Sequence, residues 1–170
     1  MNAYTVDRPT SEINYTVKFH NTHVKGTFES YSPSFFIHTL EELSTYEIEV
    51  EIDVASLTTN EPIRDHHLRS ADFFHADKYP KIYFKKTSLI KQSTNYYELT
   101  GDITIKNITQ PITFNVKQME AGALNSLTTY ICTTKVNRND FELVYNPIFE
   151  KINQLDEIVH IEVLFTVLPI

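Results

Sequence analysis

The 170-residue chain is 41% hydrophobic and 22% charged, enough for one buried core and outside the compositions of disordered polymers. Its 22 acidic against 15 basic residues give a formal charge of −7, which works against attraction to phosphate backbones and excludes nucleic acid as an expected partner. The single cysteine, Cys132, excludes an intramolecular disulfide and a cysteine-rich metal site, and its Thr, Tyr and Ile neighbours suit a packed apolar thiol. The N-terminal stretch has no basic segment followed by an apolar run, and no later stretch approaches the ~20 apolar residues of a spanning helix. One cytoplasmic domain over 1–170, without stable membrane insertion, is the expectation.

Taken in chain order, the dominant signal is alternation, which puts every second side chain on one face of a sheet. Ile13, Tyr15, Val17 and Phe19 begin it, and the polar run 20–23 follows as a turn. Residues 36–46 read as a strand end and a turn, helix or loop. Tyr46, Ile48, Val50, Ile52 and Val54 then alternate with Glu47, Glu49, Glu51 and Asp53, the pattern of a strand with one face in water. Residues 56–79 are too long for a hairpin turn. There Asp65 is a candidate cap for a turn of His66, His67, Leu68 and Arg69, while Leu68, Phe73 and Phe74 supply an apolar face. A short helical insertion near 60–78, crossing one end of the fold, is therefore expected.

Alternation resumes at Ile82 and Phe84, and continues through Leu99, Ile103 and Ile105 and through Ile112, Phe114 and Val116. Tyr130, Cys132, Thr134 and Val136 follow, and Val159 to Val167 close the chain. Short polar connections at 91–95, 106–111 and 153–157 suit antiparallel neighbours. About eight strands predict an all-β, antiparallel barrel just wide enough for one small ligand. Period decides which residues share a face, not which face points inward. The candidate lining is Tyr15, Val17, Phe28, Ile48, Val50, Phe84, Ile103, Phe114, Tyr130, Val163 and Phe165, with Phe73 and Phe74 at a plug or portal.

The segment RDHHLRSADFF at 64–74 resembles the YceI-like family of lipocalin-like, polyisoprenoid-binding proteins. So do YTVDRPTSEINYTVKF at 4–19, VKGTF at 24–28 and VEIDVASLTT at 50–59, followed by YPKIYF at 79–84, GDITIKNITQPITFNV at 101–116 and VNRNDFEL at 136–143. The resemblance implies an eight-stranded lipocalin-like barrel around an elongated apolar cavity. It further implies a polyisoprenoid or other long-chain lipid inside, held for carriage, storage or sequestration. Four positions depart from the family pattern. Thr10 and Phe19 stand where histidines are common, and Asn107 and Glu142 where glycines are usual.

Two readings compete with lipid binding. One is an enzyme acting on an apolar substrate, in which the 64–75 loop supplies acid–base groups or a metal site from His66, His67 and His75 with Asp65, Asp72 or Asp77. Adjacent histidines on one turn point apart, and no HExxH arrangement or catalytic triad order is present, so no metal, cofactor or catalytic residue is assigned. The other is a structural module whose barrel is filled by its own side chains. Arg64 and Arg69 are candidate head-group contacts, because a guanidinium grips anions, although pairing with nearby acids or loop carbonyls is the weightier account of charges so close in sequence. Arg138 is expected to be structural. Barrel exteriors offer flat surfaces, and a homodimer is the expected assembly if one forms.

Overall fold

Period-two alternation becomes β-strand throughout the computed structural model, which describes residues 4–35, 47–119 and 127–169. The expected turn at 36–46 lies outside them. The chain runs β1 (Tyr4–Val6), β2 (Glu12–Phe19), β3 (Thr22–Phe28), β4 (Tyr31–Phe35), β5 (Ile48–Asp53) and β6 (Leu57–Thr58). Helix α1 (Pro62–Arg69) follows, then β7 (Lys81–Ser93), β8 (Tyr96–Ile105), β9 (Ile108–Gln118), β10 (Thr128–Asn137), α2 (Pro147–Ile152) and β11 (Ile158–Pro169).

All eleven strand segments among the described residues belong to one antiparallel sheet, in which β4, β5, β7, β8, β9, β10, β11, β2, β3 and β6 are successive neighbours and β1 pairs with β11. The segment count exceeds the expected eight for a local reason. Residues 29–30 interrupt one long strand into β3 and β4, and a short 3-10 turn at Val54–Ser56 interrupts another into β5 and β6. These two pair along both halves, Phe28 opposite Leu57 and Tyr31 opposite Ile52. Counted as continuous strands, and with the three-residue β1 set aside, there are eight. Because β3 also pairs with β2, and β5 with β7, the ladder runs around a ring. Such closure leaves few strand edges to template association.

Polar pairs decorate the outer face. Glu49 lies opposite Lys85, with 3.0 Å between Oε1 and Nζ, and Asp53 lies opposite Lys81 and pairs with it. Thr100 and Thr113 meet across β8 and β9 at 3.0 Å. The opposite phase of these strands, including Ile52, Ile82, Phe84, Ile103 and Phe114, packs inward as one cluster.

Tight turns require left-handed backbone at several non-glycine residues. Lys106 and Asn107, with φ of 52° and 63°, form the two-residue turn between Ile105 and its partner Ile108. Glu142 ends the Arg138–Phe141 turn at φ 53°. Asn107 and Glu142 thus occupy positions where glycine is the easy residue, as their place in the motif implied.

The 56–79 insertion contains α1, but its cap differs from the expected one. Glu61 is the N-cap, its carboxylate accepting from Arg64 N at 2.6 Å, whereas Asp65 lies inside the helix and buried. Pro62 at the first helical position explains the start, since its missing N–H is one the helix leaves unpaired anyway. Helix α2 was not expected from alternation. Its signal is Asn146 before Pro147: the Asn146 side chain accepts from Ile148 N at 3.0 Å and Phe149 N at 3.1 Å.

Candidate ligand cavity

The inward faces of the strands leave a cavity of about 400 Å³. Its wall is almost wholly apolar and includes the eleven residues expected to line it, together with Phe73 and Phe74, expected at a plug or portal. Tyr15, Val17, Phe28, Ile48 and Val50 line one part of the ring, and Phe84, Ile103 and Phe114 another. Tyr130, Val163 and Phe165 complete the set from β10 and β11, and Phe73 and Phe74 enter from the loop after α1.

Aromatic contacts organise this wall. The rings of Tyr15 and Phe28 lie 5.4 Å apart, and Phe28 meets Phe74 edge-on at 6.0 Å, tying the strand wall to the loop. Phe84 and Phe114 meet edge-on at 5.8 Å, and Tyr130 stacks on Phe165 at 5.0 Å. Gly101 makes room for this packing. A Cβ there would stand 2.5 Å from the Phe84 ring and 2.5 Å from the Lys85 carbonyl oxygen. Cys132 is buried on the same wall, and burial pushes its thiol up to about 12, so it stays protonated.

At one end the cavity meets α1 and the segment around α2. His67 and Phe73 both contact the Tyr145 ring, at 4.7 Å and 5.9 Å, and Tyr145 contacts Phe149, another wall residue, at 5.5 Å. Phe149 and Leu155 on the wall escaped sequence reasoning, because the helix carrying the first breaks the period of two. The Asn-Pro start of α2 was the available signal.

Arg138 anchors this end, in the structural role expected of it, with Glu150 as its partner. Its guanidinium meets the two Glu150 oxygens at 2.8 and 3.0 Å and also donates to the carbonyls of Leu143 and Asp156, both at 2.8 Å. Burial pushes the Glu150 carboxyl up, but hydrogen bonds from Arg138 and Tyr145 N, with the Arg138 charge, hold it below the usual range.

The two candidate head-group arginines separate. Arg64 lines the cavity, whereas Arg69 does not; its Nη1 donates to the Leu57 carbonyl at 3.0 Å. Asp65 accepts from Thr59 N at 2.8 Å and from the Thr58 and Thr59 hydroxyls. Burial pushes its carboxyl up, and these bonds, with the Arg69 charge, more than reverse the shift. The histidines of the insertion diverge: His66 is exposed, His67 meets Asp72 at 2.9 Å, and His75 contacts the Tyr79 ring. Among the described residues, no three of His, Cys, Asp and Glu converge as a cation site. Among them too, no helix is long and apolar enough to cross a membrane.

Comparison with known proteins gives this architecture its relatives. The family model for the YceI-like domain matches residues 4–167. A UPF0312 protein of Vibrio parahaemolyticus is 30% identical over 142 residues, which cover 82% of this chain and 73% of that protein. The crystal structure of BcnA from Burkholderia cenocepacia superposes with a TM-score of 0.84 at 22% identity, covering 95% of this chain and 99% of that one. A polyisoprenoid binding domain from Saccharophagus degradans, implicated in plant cell wall breakdown, superposes over the whole of both chains with a TM-score of 0.69 at 14% identity. The ring of antiparallel strands, the apolar interior and a match over nearly the full length together place this chain in the YceI-like family.

Proposed function

We propose that the protein holds a long apolar chain, a polyisoprenoid or related fatty-chain amphiphile, in the barrel interior for carriage, storage or sequestration. The continuous apolar cavity carries this reading. Its volume of about 400 Å³ falls among small-molecule sites, which span about 300–1,000 Å³. Hydrocarbon placed against this wall is removed from water at about 25 cal/mol per Å² of apolar area, whereas water inside would find few polar partners. The same volume weighs against a barrel filled by its own side chains. The polyisoprenoid-binding description of the Saccharophagus domain points to the same ligand class.

Organic extraction of purified protein, read by mass spectrometry beside a native spectrum of the complex, tests the reading. A chain lipid near one per protein is expected. A protein that carries none, and that takes up neither prenyl nor acyl probes, overturns it.

A further inference from the structure

The three most exposed large apolar side chains among the described residues are Ile63, Ile148 and Ile152, at 81%, 71% and 70%. Ile148 and Ile152 stand one turn apart on the same face of α2. Ile63 stands one turn before His67 on α1, and the His67 ring contacts Tyr145, just ahead of α2. With Val144, Tyr145 and Phe149, also exposed, they gather at one end of the barrel. Single exposed apolar residues are ordinary, whereas a cluster of them marks a contact surface.

Charge is withdrawn from this surface. Residues 144–149 form an exposed run that carries no charge, and Glu150, the acid of α2, turns inward to Arg138. Lys151 is exposed, and a lysine can lay its stem along apolar surface while its ammonium stays in water. An uncharged run holding a Tyr and a Phe suits the boundary between lipid headgroups and hydrocarbon, where aromatic rings collect.

The surface also joins the cavity. Phe149 is exposed yet lines the cavity wall, and Tyr145 touches both it and Phe73, a second wall residue. Apolar side chains therefore lead from the outside to the interior, and a long hydrocarbon chain moves along such a route without meeting water. A second copy of this chain is a poorer occupant, because a standard dimer interface engages about 20–30 residues a side and this cluster offers six side chains.

We propose that the α1–α2 end is a membrane-docking surface, which lays Ile63, Ile148 and Ile152 reversibly into the hydrocarbon boundary of a phospholipid bilayer where the bound chain enters and leaves. This rests on the lipid-holding reading above.

The chain contains no tryptophan, so one introduced at a chosen position reports that position alone. Phosphatidylcholine vesicles should move the emission of Ile148→Trp to shorter wavelength, and brominated phosphatidylcholine should quench it. Tyr83→Trp, on an exposed position of β7, should show neither effect. Ile148→Asp and Ile152→Asp together should lower co-sedimentation with the vesicles by at least about ten-fold, with uptake of the neutral dye N-phenyl-1-naphthylamine from solution unchanged. Unmoved emission in Ile148→Trp, equal quenching of both tryptophan variants, or co-sedimentation that survives both aspartates overturns the docking surface. So does an emission shift that follows protein concentration without vesicles, the mark of a second copy. Dye uptake without docking removes the docking surface alone. Docking by a protein that takes up no dye removes the lipid-holding reading, and the surface's part in chain entry with it.

Discussion

The ring of Tyr15 lies across Gly26, its direct partner in the β2–β3 ladder, so closely that a Cβ on residue 26 would stand 2.1 Å from the ring's Cζ. Gly101 is crowded in a different way, because a Cβ there meets the Lys85 backbone as well as the Phe84 ring. A ring can swing into an open cavity, but a backbone carbonyl in a ladder cannot move without breaking hydrogen bonds. Gly26→Ala is therefore expected to cost about 1 kcal/mol or less and to weaken probe uptake, as Tyr15 moves into ligand space. Gly101→Ala should cost about 2–3 kcal/mol. Urea unfolding compares the two, and equal costs would contradict the distinction.

Phe114 is buried against Phe84 on the cavity wall. Phe114→Glu places a carboxyl on this apolar wall and is expected to abolish uptake of a neutral dye while destabilising the barrel by about 3 kcal/mol. Phe114→Leu should retain most uptake. Dye titration beside circular dichroism checks both, and a folded Glu variant with undiminished uptake would remove Phe114 from the ligand wall.

The Arg138–Glu150 pair has side chains only 6% and 14% exposed, so removing one partner strands a buried charge. Glu150→Gln is expected to cost about 2–4 kcal/mol and to speed hydrogen exchange in α2. The pair also gives a pH signature. Glu150 and Asp65 are both held below their ordinary values in the folded state. Their stabilisation is therefore present above the unfolded range of about pH 4 and is lost as pH falls through the lower folded values. Unfolding midpoints from pH 6 to pH 2 should fall for the wild type and fall less steeply for Glu150→Gln; parallel curves would count against the pair.

Cys132 offers a probe of the closed wall. With its thiol held near 12 by burial, its thiolate population at pH 8 is about a thousand-fold below that of an ordinary cysteine. Iodoacetamide should modify the native protein slower by at least that factor, and unfolding in urea should restore ordinary reactivity. Rapid labelling of native protein would show that the wall opens readily there.

Much of this molecule is legible in local pattern. Glu49, Glu51 and Asp53 mark the wet face of β5, and they meet Lys81 and Lys85 across the ladder. The eleven strand residues expected to line the interior share one surface because alternation along each strand is a direct consequence of backbone geometry, whereas Phe73 and Phe74 reach it from the loop after α1. The misreading of Asp65 has an equally local cause. Asp is a common cap, but here Glu61 lies one residue before Pro62, and Asp65 is committed to the Thr58–Thr59 strand end.

What the sequence by itself determined is the strand periodicity, the antiparallel connections and the set of apolar residues sharing a face, all properties carried within a few residues. Tertiary structure alone decided that this face encloses a volume, because ring closure depends on β3 and β4 pairing with β6 and β5 across two interruptions. It also decided that Arg138 pairs with Glu150, that Arg69 turns to the Leu57 carbonyl while Arg64 reaches the cavity, and that the Tyr15 hydroxyl ends without a partner among the described residues. The reason is physical. Periodicity follows from the geometry of one strand, whereas an interior and its few unmet donors are what remains after side chains from eight strands have filled the space between them.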